Sequence, residues 1–182
     1  MSAKKSTVFS TKEIVMVGLC AAIMCVAGPF AVPIPISPVP ISLTPFVIFV
    51  IAYVLPPKLC TLSTFIYLML GAIGLPVFSG FSGGAGKLAG PTGGYLIGFL
   101  LTAFICSVFN SRFNKNILSA VGMICGAAAY YLFGTVWFTV QQDVSFYAAF
   151  VSCVLPYLFG DALKIAAAML IGSQLRRHNI FK

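Results

Sequence analysis

An aspartate and a lysine stand three residues apart inside a long apolar run near the C-terminal end of the chain. They are Asp161 and Lys164, and Pro156 precedes them. Residues i and i+3 share one face of a helix, and each charge near the centre of a membrane helix costs about 2.5–3.5 kcal/mol. Both side chains therefore need partners, which are either each other, as an internal ion pair, or a polar ligand. We favour the ligand, because charged groups beside a broken helix are typical of substrate sites in transporters.

The stretch from Gly71 to Gly98 contains ten of the chain's 17 glycines and a single lysine, Lys87. Glycine permits left-handed backbone conformations and close approach of the backbone to a ligand, at a cost in entropy. The stretch is not a phosphate-binding P-loop, because Leu88 stands where Ser or Thr is needed and Phe81 where the motif begins with glycine. Interspersed bulky apolar residues and prolines argue against a flexible linker. We therefore predict an ordered loop that binds a ligand.

The composition is that of an integral membrane protein. Hydrophobic residues make up 60% of the chain and charged residues 8%, and the mean hydropathy is +1.05. A membrane-spanning helix needs about 20 apolar residues, and breaks at prolines, glycines and charges divide the chain into six apolar runs. We therefore predict an all-α fold of six transmembrane helices. The predicted spans are Ile14–Val32, Ile41–Leu55, Leu59–Leu75, Gly93–Asn110, Ile117–Val140 and Phe146–Leu175.

The basic residues predict the orientation of these helices, because cytoplasmic segments of membrane proteins carry an excess of Lys and Arg. With the N-terminus inside, nine basic residues are cytoplasmic and only Lys87 is outside. The nine are Lys4, Lys5, Lys12, Lys58, Arg112, Lys115, Arg176, Arg177 and Lys182. Both termini are then cytoplasmic, and the Gly-rich loop between helices 3 and 4 is extracytoplasmic. Residues 1–13 form a cytoplasmic arm, 14–175 a single transmembrane substrate-binding domain, and 176–182 a cytoplasmic basic tail.

Several classes of function lack support in the sequence. The net charge of +8 follows from membrane topology and attraction to anionic lipid, so it does not indicate nucleic-acid binding. The only histidine, His178, lies in the basic tail, and no pair of carboxylates stands together, so we expect no catalytic residues. The six cysteines have no metal-ligand spacing. We therefore expect no metal and no cofactor.

Four further features each allow two interpretations. Gly18 and Ala22 give the first helix a small-residue face, which serves either internal packing or docking of a partner protein. The proline-rich segment 33–40 is extended and polyproline-like, and is either a linker or a flap over a site. The Thr44 hydroxyl either faces a pocket or bonds to its own helix. Trp137 either belongs to an interfacial aromatic belt or forms a stacking wall for a ligand.

Four sequence motifs together resemble the BioY family, the biotin-specific S-components of energy-coupling factor (ECF) transporters. Three are G-L-P-V-F at Gly74–Phe78, G-P-T-G-G-Y-L-I-G-F at Gly90–Phe99, and G-D-x-x-K at Gly160–Lys164. The fourth, P-I-S-L-T at Pro40–Thr44, resembles the family's P-I-T-L-Q but departs from it at two positions. The resemblance covers nearly the whole chain.

This resemblance implies a compact six-helix subunit of the bacterial plasma membrane that captures biotin from outside. It also implies docking through Gly18 and Ala22 onto a module of one transmembrane coupling protein and two ATPases. The chain has no nucleotide-binding motif of its own, so it is not expected to be an enzyme. A self-sufficient membrane carrier for a small vitamin-like solute is the alternative, although the sequence shows no internal repeat.

The expected ligand contacts follow from the chemistry of biotin. A carboxylate at Asp161 can accept from the ureido N–H groups, and Lys164 can donate to the ureido carbonyl. The valerate carboxylate needs a cation or free backbone N–H groups, which Lys87 and the start of the fourth helix offer. The residues that we assign to substrate binding are Asp161, Lys164, Phe78, Ser79, Lys87, Thr92, Tyr95, Thr44 and Trp137.

Overall fold

The computed structural model describes residues 9–35, 37–113 and 116–177. The predicted cytoplasmic arm up to residue 8, Lys115 and the tail from His178 onward lie outside the described residues. The described elements are α1 Thr11–Ala27, β1 Ala31–Ile34, β2 Ser37–Ser42, α2 Thr44–Val54, α3 Pro57–Ala72, α4 Ala85–Ala89, α5 Gly93–Arg112, α6 Asn116–Gln142, α7 Phe146–Cys153 and α8 Leu155–Arg177.

The helices form a bundle of the kind that spans a bilayer. Three of them, α5, α6 and α8, are long and apolar enough to cross a membrane, whereas α2 and α3 are apolar but shorter. The chain is thus a multi-pass protein of the cell membrane. The count of six spans and the cytoplasmic position of both termini remain predictions.

The first helix begins as its sequence predicts. The S-x-x-E pattern at Ser10–Glu13 is a capping box, in which two side chains satisfy free backbone N–H groups at a helix start. The Ser10 hydroxyl accepts from the Glu13 N–H at 3.2 Å, and the Glu13 carboxylate accepts from the Ser10 N–H at 2.7 Å. Hydrogen bonds from the backbone N–H and then the side chain of Ser10 hold the pKa of the Glu13 carboxyl below its ordinary value. The helix ends at Ala27, earlier than the predicted Val32.

The small-residue face of α1 does not pack inside the protein. A Cβ atom added to Gly18 would have no neighbouring atom within 4 Å, and Ala22 is also exposed. The opposite face of the helix is buried, with Cys20 and Met24 in the core. Of the two interpretations of this face, internal packing is therefore wrong.

The proline-rich segment forms a two-stranded antiparallel hairpin rather than a polyproline helix. The segment is extended, as predicted, but β1 pairs with β2, which is a departure from the expected all-α fold. The paired residues are Ala31 with Ser42, Val32 with Ile41, and Ile34 with Ser37, with an irregularity between Val32 and Ile34. Among the described residues, none of these three pairs contains a proline. Because proline lacks the N–H that a ladder needs, strands of this composition pair only through the residues between the prolines.

The Gly-rich stretch is an ordered loop, as predicted, and contains the short helix α4. Its backbone is tied to both neighbouring segments, since the Gly84 N–H donates to the Gly71 carbonyl at 2.7 Å and the Gly80 N–H to the Pro29 carbonyl at 3.0 Å. Gly80 and Gly84 have φ angles of 73° and 95°, a region that other residues rarely adopt. These bonds bring the loop close to the end of α1.

Helices α5 and α6 are packed closely through glycines that face aromatic rings. A Cβ atom added to Gly134 of α6 would lie 2.2 Å from the Tyr95 ring of α5, and one added to Gly94 of α5 would lie 2.2 Å from Trp137 of α6. The Thr102 hydroxyl donates across the pair to the Gly126 carbonyl at 2.9 Å. Small residues let two membrane helices approach closely. The close packing of α5 against α6 therefore fixes the positions of the aromatic side chains on both helices.

The last predicted span is broken, as the position of Pro156 predicts. Helix α7 ends at Cys153 and α8 begins at Leu155, while Val154 between them has φ −122° and ψ −54°. Proline cannot donate to the carbonyl four residues earlier and clashes with it. The break directs α8 so that Asp161 and Lys164 follow within its first three turns.

Candidate functional site

One cavity lies at the end of the bundle where the hairpin, the Gly-rich loop and the α7–α8 break meet. It contains about 610 Å³ of empty space, a volume that includes the open space at its mouth. Residues from the hairpin, from the loop with α4, and from the five helices α2, α5, α6, α7 and α8 line it. They are Val39, Pro40, Ser42, Pro45, Phe78, Ser79, Lys87, Thr92, Tyr95, Leu96, Phe99, Tyr130, Tyr131, Cys153, Tyr157, Asp161 and Lys164.

The polar centre of the cavity is the Asp161 carboxylate, which is 5% exposed. Its Oδ1 atom accepts from the Lys164 ammonium at 2.8 Å. Its Oδ2 atom accepts from the hydroxyl of Tyr131 at 2.5 Å and from that of Tyr130. The internal ion pair that the sequence allowed is therefore present, and both of its members also line the cavity. A charge so deeply buried is stable only with such partners.

The walls of the cavity are mainly aromatic. Phe99 and Tyr130 meet edge to face with centroids 5.5 Å apart, and the rings of Tyr130 and Tyr131 lie 4.4 Å apart. Phe78 is fully buried and packs edge to face on Tyr67 at 5.6 Å. The planes of these three pairs are tilted by 72°, 40° and 83° in this order, so the rings offer a ligand apolar surface in several directions.

A second cation lines the cavity at the loop. Lys87 of α4 is half-buried, and Ser79 and Thr92 line the same cavity from the loop on either side of it. Among the described residues, Lys87 forms no ion pair, whereas Lys164 is paired with Asp161. The cavity therefore offers a neutralised ion pair on α8 and an uncompensated positive charge on the loop.

A tyrosine of α8 attaches the hairpin to the cavity wall. Tyr157 of α8 lines the cavity, and its hydroxyl donates to the Val39 carbonyl of β2. Ser42 of the same strand also lines the cavity, and its hydroxyl is bonded to that of Thr44 at 2.9 Å. The hairpin therefore forms one side of the site, which makes it a flap rather than a plain linker.

Seven of the nine side chains that we assigned to substrate binding line this one cavity: Asp161, Lys164, Phe78, Ser79, Lys87, Thr92 and Tyr95. The assignments of Thr44 and Trp137 are corrected to supporting positions. Thr44 is buried and bonds to Ser42 instead of facing the cavity. The Trp137 indole donates to the Gly90 carbonyl at 3.0 Å and stacks on Phe133, so it holds the Gly-rich loop from outside the cavity.

Sequence reasoning missed the two tyrosines that contact Asp161. A signal for them existed, because Tyr130 and Tyr131 lie within an apolar span and a buried hydroxyl needs a partner. Asp161, which also lies within an apolar run, was a carboxylate that could accept hydrogen bonds from these hydroxyls. Val39 and Pro40 of the hairpin and Pro45 of α2 carried no such signal, since apolar residues and prolines reach the cavity only through the folding of the chain.

The side chains that line this site can bind a small ligand. Within residues 9–35, 37–113 and 116–177, no group of three His, Cys, Asp or Glu side chains lies close enough to hold a metal ion. The arrangement provides hydrogen-bond donors and acceptors at the ion pair, aromatic walls and a cation at the loop. A ligand that fits is small, largely apolar and flat, with a polar group at one end and a negative charge at the other.

Comparisons with known proteins agree with this geometry. A sequence profile of the BioY family matches residues 1–180. The chain is 38% identical over 165 residues to a probable biotin transporter BioY of Pyrococcus horikoshii, and 34% identical over 167 residues to the biotin transporter BioY of Thermotoga maritima. Each alignment covers 91% of this chain and 96% of the relative.

The fold is also that of a solved membrane protein. The structure superposes with a TM-score of 0.85 on the crystal structure of the S-component for biotin from an ECF-type ABC transporter. The two chains are 27% identical, and the match covers 97% of this chain and 95% of the other. Sequence and structure together show that the chain belongs to the BioY family.

Proposed function

We propose that this protein captures biotin and serves as the substrate-binding S-component of an ECF transporter. The observation that carries the proposal is the buried Asp161–Lys164 pair, which lines a cavity together with aromatic side chains. Relatives named as biotin transporters and the superposition on a biotin S-component support the same substrate.

The polar head of biotin fits the α8 end of the cavity. Its cyclic urea has two N–H donors and one carbonyl acceptor. The Asp161 carboxylate accepts from N–H, and Lys164, whose ammonium has three donors and spends one on Asp161, donates to the carbonyl. The fused rings then lie against Tyr95 and Phe99. Hydrogen bonds to ionised groups are stronger than neutral ones, so this end supplies much of the selectivity.

The valerate carboxylate of biotin extends toward the loop. Lys87 is a charged side chain that lines the cavity without an ion pair among the described residues. A carboxylate there supplies the missing negative charge, and Ser79 and Thr92 offer hydroxyl donors beside it. The ligand therefore connects α8 to the Gly-rich loop.

Energy for uptake comes from partner subunits in this proposal. The chain has no nucleotide-binding motif, so a module of one transmembrane coupling protein and two ATPases supplies ATP hydrolysis. The exposed small-residue face of α1, with Gly18 and Ala22, is the docking surface for the coupling protein. Small residues allow the close approach that helix association in a membrane requires.

Two experiments test this function. The tagged protein is purified in detergent, and biotin binding is measured by calorimetry; we expect one biotin per chain. Uptake of labelled biotin is then measured in cells that contain the chain with and without the partner module. Binding without uptake in the absence of the module supports the proposal. Uptake by the chain alone would favour a self-sufficient carrier. Failure of the purified protein to bind biotin would mean that biotin is not its substrate.

A further inference from the structure

The two oxygens of the Asp161 carboxylate have different surroundings before any ligand binds. Oδ2 accepts from the hydroxyls of Tyr130 and Tyr131, whereas Oδ1 accepts from the Lys164 ammonium. Each oxygen of an ionised carboxylate has about two lone-pair positions. Both positions on Oδ2 are therefore filled by tyrosine hydroxyls, and the position left for a ligand N–H is on Oδ1.

Oδ1, which keeps this free position, lies beside the Lys164 ammonium. The two atoms are 2.8 Å apart, and the ammonium has two N–H donors that Asp161 does not use. An acceptor and a donor thus stand next to each other on the same helix. A urea or amide edge has the complementary pair, an N–H and a C=O on neighbouring atoms. One such edge can therefore bind Oδ1 and Lys164 at the same time.

The tyrosines that fill Oδ2 are themselves held in place by α5. The Tyr130 ring meets Phe99 edge to face at 5.5 Å and lies 4.4 Å from the Tyr131 ring. A Cβ atom added to Gly98 would lie 2.9 Å from the Cα and Cβ atoms of Tyr130, so α5 and α6 are in close contact there. Tyr130 is 4% exposed and Tyr131 is 9% exposed. The two hydroxyls are thus buried donors in fixed positions on one side of the carboxylate.

We propose that Tyr130 and Tyr131 are positioning residues of the substrate site, which hold Oδ2 of Asp161 so that the carboxylate meets the ligand through Oδ1. Groups that are ordered before binding need not be ordered when the ligand arrives, which favours affinity. The inference rests on the proposed biotin-binding function and deepens it, because Asp161 then accepts one ureido N–H and not both. Each tyrosine acts on the ligand through Asp161.

The first test observes the Asp161 carboxylate directly. The only other aspartate of the chain is Asp143, so full-length protein that carries Asp143→Asn and isotope-labelled aspartate has labelled carboxylate bands from Asp161 alone. Its infrared spectrum is recorded without ligand. Tyr130→Phe and Tyr131→Phe, each added to this background, should shift these bands. The reason is that Oδ2 loses a hydrogen bond to an ionised oxygen, which is stronger than a hydrogen bond between neutral groups.

The same tyrosine variants should bind biotin more weakly. Calorimetry on each single variant should show binding about twofold to tenfold weaker, the effect of one hydrogen bond, and the double variant should lose more than either. Tyr53→Phe changes a buried tyrosine outside the cavity lining and is the matched control. It should leave the Asp161 bands and the affinity for biotin unchanged.

The two readouts together separate positioning of Asp161 from a general structural role. Weaker binding without a band shift would mean that the tyrosines act on the shape of the cavity and not on the carboxylate. Shifted bands with normal affinity would mean that their hold on Oδ2 does not matter for the ligand. Either result, or no change in both readouts, would overturn the proposal. Absence of biotin binding by the unaltered protein is a different outcome, because it would remove the proposed function itself and the role of Oδ1 with it.

A second measurement leaves both tyrosines in place, so it does not depend on how their variants fold. Biotin is added to the labelled Asp143→Asn protein, and the infrared difference spectrum is recorded. We expect the Asp161 bands to shift, because Oδ1 gains an N–H donor. Unchanged Asp161 bands in protein that calorimetry shows to be saturated with biotin would overturn the proposal.

Discussion

The cavity and the exposed face of α1 differ in how many contacts their residues make within the chain. In the cavity, Asp161 has three donors within the chain before a ligand arrives. On α1, the space around Gly18 is empty for at least 4 Å, and apolar neighbours such as Leu19 are exposed. The first region is already organised around a buried charge, and the second is open to a partner helix, as the proposed function requires. From this comparison we expect binding and energised uptake to depend on separate parts of the molecule.

The largest expected effect comes from removing the ion pair. The double variant Asp161→Asn, Lys164→Met should fold and insert, because removing both members of a buried pair is often neutral, whereas removing one is costly. It should bind biotin about a hundredfold more weakly or worse, since two ligand groups lose partners at about 1–3 kcal/mol each. Calorimetry on the monodisperse protein measures this.

Two single variants of the same protein serve as comparisons for this double variant. Asp143→Asn changes an exposed aspartate outside the cavity, whose φ of 51° asparagine also tolerates, and it should bind biotin normally. Asp161→Asn alone should lose much of the affinity, because the amide brings N–H donors toward the donors of the ligand. Normal biotin binding by the double variant would mean that the pair serves only stability and would leave the loop as the sole support for the site.

The next prediction separates the two regions directly. Gly18→Trp with Ala22→Trp should abolish energised uptake, because the bulky rings prevent close approach of a partner helix. Biotin binding by the isolated protein should stay within about twofold of normal, since neither residue lines the cavity. The matched control is Ala128→Trp, an exposed alanine of α6, which should retain both activities. Equal loss of binding and uptake would contradict the separation.

A smaller effect is expected at the loop end of the cavity. Lys87→Met should weaken biotin binding about tenfold to a hundredfold, the range for a hydrogen bond to a charged group. Biotin methyl ester, which carries no negative charge, should bind the variant and the unaltered protein equally. Lys58→Met, an exposed lysine on α3, is the control. If Lys87→Met weakens the binding of biotin and of its methyl ester by the same factor, Lys87 stabilises the loop and does not contact the carboxylate of the ligand.

The sequence predicted the parts of this structure where residues are costly in free energy or unusual in composition. A buried aspartate and lysine cost too much to be accidental, and the bulky apolar residues and prolines among the glycines argue against a flexible linker, so both led to the cavity. Pro156 marked the break between α7 and α8 because its chemistry forbids a regular helix there. Each of these signals is carried by residues close together in the chain.

The parts that could not be predicted depend on contacts between distant segments. Tyr130 and Asp161 are 31 residues apart, and only the packing of α6 on α8 brings them together. The β-hairpin was hidden because prolines argue against strands, whereas here the pairing uses only the residues between them. Trp137 was predicted near the outer interface, but its contacts with Gly94 and with the Gly90 carbonyl depend on the packing of α6 against α5 and the loop.

The smallest effect is expected where the two regions meet. The hairpin β1–β2 connects α1 to α2, and the Tyr157 hydroxyl holds it against the cavity through the Val39 carbonyl. Tyr157→Phe removes this bond, which is worth about 0.5–1.5 kcal/mol net, so biotin should dissociate about twofold to tenfold faster while associating at its normal rate. Release of labelled biotin from the purified protein measures the change. Tyr147→Phe, at an exposed tyrosine of α7, should have no effect. An unchanged release rate combined with reduced uptake would assign the hairpin to the docking region of α1 instead of the cavity, because a segment that covers the ligand must affect how fast the ligand leaves.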